Sequence, residues 1–448
     1  MLPRPAVTAL LAGCLAAALV GAGAGPARAD GLPVTLFTQR SGPMAETGIP
    51  VANGLHDYLT MLNRRDGGVG GVPLDLEECE TGGDPQRELA CYEAARARGT
   101  LVVSPWSADA ARALLPRLAA DRIPLVATGY GPSAMADGTT FPWAFAPPAT
   151  VWDGLTVALA YLIAQSSDAE GLRGRTLAYL HRDTPAGREA VPVLQALADE
   201  LGFGLRDYPL RDVPDETEAG PWRTARAADP DYVILDASAG LVGTPLRDAA
   251  AAGIPLGRIV AIGGPGEDEL QAVGVRAKGL REVTWHAPGD SFPAFDQIDL
   301  LVIDAGLSST PKDDAAGVHY NRGVYNGVII AEGIRNAQRL AGRARIDGSD
   351  MRRGLEAIDL DAVRWKELGL VGFAGRLRLS CEDHSGHRPA FVQEWTGTRW
   401  TQVSDTIAPM RERLRPRLAA AVSALLARHA AENGQPWPPR TEPCDGQP

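Results

Sequence analysis

The sequence predicts an α/β protein made of two similar lobes, and three observations carry that reading. From Asp30 onward, short apolar runs alternate with segments of helical spacing almost without interruption. Residues 100–131 hold two such runs, 101–103 and 123–127, around a segment that places Ala108, Ala111, Leu114, Leu115 and Leu118 on one face. That is a strand–helix–strand unit, and its crossover makes the two strands parallel. A proline-rich extended stretch, 141–148, then separates a first series of such units from a second.

In chain order, 34–37 reads as a strand and 49–64 as a helix with Val51, Leu55, Tyr58, Leu59 and Leu62 on its apolar side. The four glycines at 67, 68, 70 and 71 form a turn without the helix and Lys-Ser or Lys-Thr that a phosphate loop needs. A strand at 72–76 and a helix at 86–98 lead into the 100–131 unit. The second series runs helix 150–165, strand 176–180, helix 187–201, strand 232–235, helix 244–252, strand 259–262, helix 268–273 and strand 279–284. Residues 292–307 and the long helix 320–340, with Tyr320 and Tyr325 in its core face, return to the first lobe. A short helix at 351–355 follows. Runs 376–379, 390–395 and 399–403 alternate as antiparallel strands, with Trp395-Thr396-Gly397-Thr398 as a hairpin turn. The last helix is broken or restarted at Pro416, and the tail from 435 is proline-rich.

The chain has 448 residues, of which 45% are hydrophobic and 22% charged, enough for two cores. Its formal charge of −11 and lack of a basic stripe exclude nucleic acid as a partner. Residues 1–29 read as a signal peptide cleaved after Ala29, with an apolar run at 6–25 and Ala27-Arg28-Ala29 as the cleavage signature. Its removal takes away two arginines and no acid, which lowers the charge to −13. Leu11-Ala12-Gly13-Cys14 offers a lipoprotein alternative, disfavoured because the apolar run continues after Cys14. Either route exports the chain.

Four cysteines remain after cleavage, which fits an oxidising compartment and allows three pairings. The favoured one joins Cys79 to Cys91, close in sequence, and Cys381 to Cys444, which staples the tail to the body. No ligand spacing for a metal is present, and no cofactor is expected. Nucleophile elbow, zincin, Walker and dinucleotide motifs are absent from the mature chain, so an enzyme is not expected. A hydrolase without a recognisable motif is the rival from that class.

Parallel strands bring their following loops to one sheet edge, where open α/β proteins bind ligands. Two such loops pair a large aromatic with small polar groups: Ser104, Trp106 and Ser107 after one strand, Gly129 and Tyr130 after the next. Arg40 and Ser41 follow the first strand. Arg40 could fork a carboxylate, with a surface acid as its competing partner. Trp152 brings a second tryptophan toward the cleft, and packing is the competing role for it and for Trp106.

Several segments together resemble a known family. They are Leu36-Phe37-Thr38-Gln39-Arg40-Ser41-Gly42-Pro43, the helix end Leu62-Asn63-Arg64-Arg65-Asp66-Gly67-Gly68-Val69, Cys79-Glu80 with Asp84-Pro85, and Pro148-Ala149-Thr150-Val151-Trp152-Asp153-Gly154. Asp231-Tyr232-Val233-Ile234-Leu235 and Gly372-Phe373 with Gly375 follow in order. The chain from 34 to about 403 is thereby similar to type I periplasmic solute-binding proteins, the branched-chain amino acid and amide receptors of ABC importers.

The resemblance implies two doubly wound lobes joined by a three-crossing hinge, with the ligand trapped between them by closure. It places one lobe at 30–149 plus 286–372, the other at 150–285 plus 373–405, and a C-terminal helix and tail at 406–448. It implies a monomer in the periplasm that delivers its ligand to a membrane permease. Carried over by position, second-lobe contacts fall on the loops 183–187, 236–238 and 263–267, among them Asp183, Ala186, Asp236 and Ser238, with helix capping as the competing role for Asp183 and Asp236. Ala186-Gly187 stands where the family has tyrosine-glycine, and Ser238 where an aromatic is frequent. With Trp106, Tyr130 and Trp152 facing the cleft, the expected ligand is a partly aromatic or hydrophobic carboxylate, such as an aromatic acid, an acyl carboxylate or a quinone-type cofactor. A branched-chain amino acid or amide is the alternative, and a sensory or scaffold protein on the same fold is a third class.

Overall fold

The computed structural model describes residues 31–42, 44–127, 131–166, 171–211, 219–238 and 245–444. Gly129, Tyr130, Cys14 and the rest of the expected signal peptide lie outside the described residues.

Strands β1 (Leu32–Thr38), β2 (Leu74–Glu80), β3 (Val102–Pro105), β4 (Leu125–Val126) and β5 (Ala144–Phe145) form one parallel sheet in the order β2-β1-β3-β4-β5. β1 is buried at six of seven positions, as expected of a central parallel strand covered on both faces. The second sheet takes β6 (Thr176–Arg182), β7 (Gly204–Leu210), β8 (Tyr232–Asp236), β9 (Ile259–Ile262) and β10 (Arg281–Thr284) in parallel. Strands β11 (Asp359–Leu360) and β12 (Leu377–Arg378) pair with each other, while β13 (Phe391–Trp395) adds antiparallel to β10 and β14 (Trp400–Gln402) antiparallel to β13. The order of the second sheet is β14-β13-β10-β9-β8-β6-β7. The chain passes between the two sheets after β5, after β10 and before β13, so two doubly wound lobes share a three-crossing hinge.

Helix boundaries follow local chemistry. Asp84 accepts from the backbone N–H groups of Gln86 and Arg87 (2.8 and 2.9 Å), and Pro85 starts the helix Pro85–Arg98. Thr150 and Asp153 form a capping box at the head of helix Val151–Gln165, where the second lobe begins. Cys79 is bonded to Cys91, and Cys381 to Cys444, the favoured pairing.

Three expectations need correction. The run 376–379 does not join the C-terminal hairpin. Its partner is β11, because the chain beyond it is drawn to the first lobe by Gly138 N–H donating to Glu382 O and His384 N–H to Ala136 O (3.1 and 3.0 Å). The last helix runs unbroken from Arg411 to Asn433 through Pro416, held by Leu414 and Val422, buried on either side of the proline. The edge strand β7 was not expected. It is half-exposed and carries Pro209, which an edge tolerates.

The first lobe turns on one close crossing. Helix Ala45–Asp66 meets helix Val318–Ala341 backbone to backbone: a Cβ on Gly54 would lie 2.1 Å from Tyr320 O, and one on Gly323 2.2 Å from Val51 O. Beside it, the buried Asp57 carboxylate accepts from the hydroxyls of Ser308, Thr310 and Tyr320 (2.6, 3.0 and 3.0 Å), tying the 308–310 segment to both helices. Replacing Gly323 by Ala must push the helices apart. We expect Gly323→Ala to cost about 1–3 kcal/mol of stability in chemical denaturation; an unchanged midpoint would mean that the crossing has slack.

Candidate functional site

The strand ends of the two lobes face each other across a cleft. At one end the cleft is clasped shut. Ser107 caps helix Ala108–Asp121 by accepting from Ala110 N–H (3.2 Å), which aims the first turn at the second lobe. There Asp109 accepts from Ala186 N–H (3.0 Å). Arg112 Nη2 donates to Glu189 (2.5 Å), and Ser133 donates to the same carboxylate through both its N–H and its hydroxyl (3.0 and 2.7 Å). Burial pushes the Glu189 carboxyl up, against the pull of Arg112 and the Ser133 donors.

Several residues expected at the ligand are used by the protein itself. Arg40 forks Glu78 (2.7 and 2.9 Å) and donates its remaining Nη1 to Asn53 (2.6 Å), so the carboxylate it grips belongs to its own lobe. Ser41 donates through N–H and hydroxyl to Glu80 (3.0 and 2.8 Å). Trp152 is 5% exposed and gives its indole N–H to Glu189 O (3.3 Å), so it packs behind the clasp instead of presenting a face.

Asp183 is held by Arg188 and Arg211, whose bonds outweigh burial and bring its carboxyl below the usual range. Asp236 is fully buried and accepts from Tyr179 OH (2.6 Å) and from Ser238 N–H (2.9 Å) and hydroxyl. Burial pushes its carboxyl up. Ser104 is buried and ties β3 to β4 through Val126 O (3.0 Å). Trp106 is half-buried.

The other end of the cleft is open. A groove of about 700 Å³ lies between the first turns of helix Ala45–Asp66 and the second lobe. Glu46 and Ile49 line its first-lobe wall, the loop after β9 and the β13–β14 hairpin its second-lobe wall, and Pro311, His319 and Tyr320 its back. Glu267 reaches across to cap helix Val318–Ala341, accepting from Val318 N–H with both oxygens (3.0 and 3.2 Å). His319 is buried, and burial together with the Arg322 charge lowers its pKa to about 4, so the imidazole is neutral at pH 7. Among the described residues its Nε2 has no hydrogen-bond partner, nor do the buried indole N–H groups of Trp395 and Trp400, whose rings meet edge-on at 5.5 Å. All three residues border the groove.

Sequence reasoning placed Trp395 and Trp400 only as hairpin flanks. What brings them to the cleft is the antiparallel addition of β13 to β10, a long-range pairing with no local signal. His319 lies just before the stretch 320–340 that the sequence marks as the late helix, of which only Tyr320 and Tyr325 are assigned, to the core.

Beneath the β9 loop, Glu282 accepts from Gly264 N–H and Gln393 Nε2 (both 2.8 Å), packed so closely that a Cβ on Gly264 would meet its carboxyl carbon at 2.6 Å. Burial pushes its pKa up to about 7, with the charge of Glu267 adding to it. A carboxyl raised in the folded state contributes stability fully below its unfolded pKa and loses it as pH rises through about 7. Glu282→Gln is therefore expected to melt above the parent at pH 8 and level with it at pH 5; equal midpoints at both pH values would show that Glu282 does not titrate this way.

The sequence profile of the periplasmic binding protein family matches residues 32–399. A protein from the Pseudomonas fluorescens group, described as an ABC transporter permease, is 32% identical, with 92% of this chain and 99% of that one covered and a TM-score of 0.81. A branched-chain amino acid ABC transporter protein from Thermus thermophilus with bound valine is 19% identical over 86% of this chain and 98% of its own, at a TM-score of 0.71. A solute-binding protein of an ABC transporter from R. palustris in complex with benzoate is 17% identical over 85% and 97%, at 0.64. The last two likenesses show the fold alone. No curated protein matches the chain. Two doubly wound lobes, a three-crossing hinge and a profile match over most of the length lead to one conclusion: the chain belongs to the periplasmic binding protein family, the solute-binding proteins of ABC transporters.

Proposed function

We propose that this receptor acts as an exported monomer, freed of residues 1–29, that captures a partly apolar carboxylate by lobe closure and hands it to a membrane permease. The observation that carries the ligand class is the set of buried groups without partners at the groove: the indole N–H groups of Trp395 and Trp400 beside the neutral His319 edge. Buried donors without acceptors cost free energy that a ligand acceptor recovers, and a carboxylate offers two oxygens. Ile49, Pro288 and Pro311 supply apolar contact for the body of the ligand. Trp106, expected at the ligand, does not line this groove. The benzoate in a protein of the same fold supports the class. Valine in another favours a branched-chain amino acid as the second reading, with the acids Glu267 and Asp268 at hand for an ammonium group.

A thermal-shift series on the mature protein separates the two. Benzoate, phenylacetate and octanoate are expected to raise the melting temperature and valine and leucine to leave it unchanged; the reverse pattern rejects the carboxylate reading. Trp400→Phe keeps an aromatic ring, smaller than the indole, and removes the N–H. It is expected to weaken the stabilising acid about tenfold, equivalent to about 1.4 kcal/mol, with unchanged affinity removing Trp400 from the site. Arg40→Ala is expected to leave that affinity unchanged, because its fork is spent on Glu78.

A further inference from the structure

The segment from Arg411 to Cys444 lies beyond the matched family profile and touches both lobes. We infer that it is a strap across the hinge that restrains how far the lobes part, and so tunes ligand affinity without meeting the ligand. At its start it is fixed to the second lobe. Met410 N–H donates to Thr156 Oγ1 (3.2 Å) on helix Val151–Gln165, Leu414 is buried, and Arg413 and Arg417 both pair with Glu200 on helix Val191–Leu201. Further on it belongs to the first lobe. Val422, Leu425 and Leu426 pack in the cluster of Leu114, Leu115 and Leu118, and Trp437 meets Phe141 edge-on at 5.2 Å. Arg440 donates to Gly138 O (3.0 Å) and pairs with the buried Glu356 (2.9 Å), and Cys444 is bonded to Cys381.

One continuous helix of 23 residues joins the two sets of contacts, a span of about 34 Å. Thr156 and Glu200 move with the second lobe, and Leu114, Leu118 and Phe141 with the first. A rigid helix cannot follow both, so hinge opening must break one set. The first-lobe end is covalent and buried, whereas the second-lobe end rests largely on exposed Arg–Glu pairs, which hold weakly. The Glu200 end is the one that slips. Both sets coexist here with the Glu189 clasp closed, so the strap favours the clasped arrangement. A larger share of the binding-competent state raises apparent affinity in proportion.

Spin labels attached through Arg64→Cys and Arg206→Cys, at exposed positions on the first and second lobe, read the interlobe distance in the mature protein without any ligand. Glu200→Gln, and separately Arg413→Ala with Arg417→Ala, are expected to shift that distribution toward longer, broader distances and to weaken whichever compound stabilises the parent by a few-fold. Distributions identical to the parent in both variants overturn the strap, as does a lower melting temperature with unchanged distances, the mark of a merely structural contact. Since the distance needs no ligand, this outcome is independent of the ligand class proposed above.

Discussion

The close crossing of helices Ala45–Asp66 and Val318–Ala341 is the constraint on which the cleft depends. Glycines at 54 and 323 let the backbones touch, and that contact sets the distance between the heads of the two helices. Asp57 then gathers the hydroxyls of the 308–310 segment, and Asn53, one turn earlier, receives both Ser309 and Arg40. The first-lobe wall of the groove and the end of β1 are thereby positioned from one point. The head of the second helix accepts Glu267 from the opposite lobe, so the same crossing also decides where the two lobes meet.

Charge in the cleft is arranged for holding the protein together more than for gripping a solute. Arg40, Arg112, Asp109, Asp183, Asp236, Glu189 and Glu267 all have partners within the chain. Glu189, Asp109 and Glu267 find theirs on the other lobe, so closure itself satisfies groups that would otherwise face water. The groove differs in kind. Its buried edge is made of aromatic surface and nitrogens without partners, chemistry that recognises shape and hydrogen-bond acceptors.

Much of the fold was legible because its signals are local. The strand at 259–262 and the helix 150–165 follow from a buried apolar run and a capping box, and the late helix read as 320–340 spans 318–341. The disulfide pairing followed from proximity and from the need to tether a loose tail. The site was less legible, because its residues are set by pairings distant in sequence. Whether Arg40 faces a ligand or Glu78 depends on the β1–β2 register, which aligns Leu36 with Glu78. Trp395 and Trp400 reach the groove only because their hairpin joins β10, more than 100 residues upstream. Sequence periodicity predicts burial of such residues and carries no information about which cavity they border.

That same pairing has a consequence for how the chain comes to be folded. Until residues 391–402 arrive, β10 is an open edge, with backbone donors and acceptors available to any passing strand. The second lobe therefore cannot finish its sheet as a unit of neighbouring sequence. It waits for nearly the whole chain, with a first-lobe segment folding in between, which is a high contact order for a sheet edge. A chain made in one compartment and assembled in another meets that interval on the far side of the membrane, where an exposed β10 edge is prone to pair with other chains.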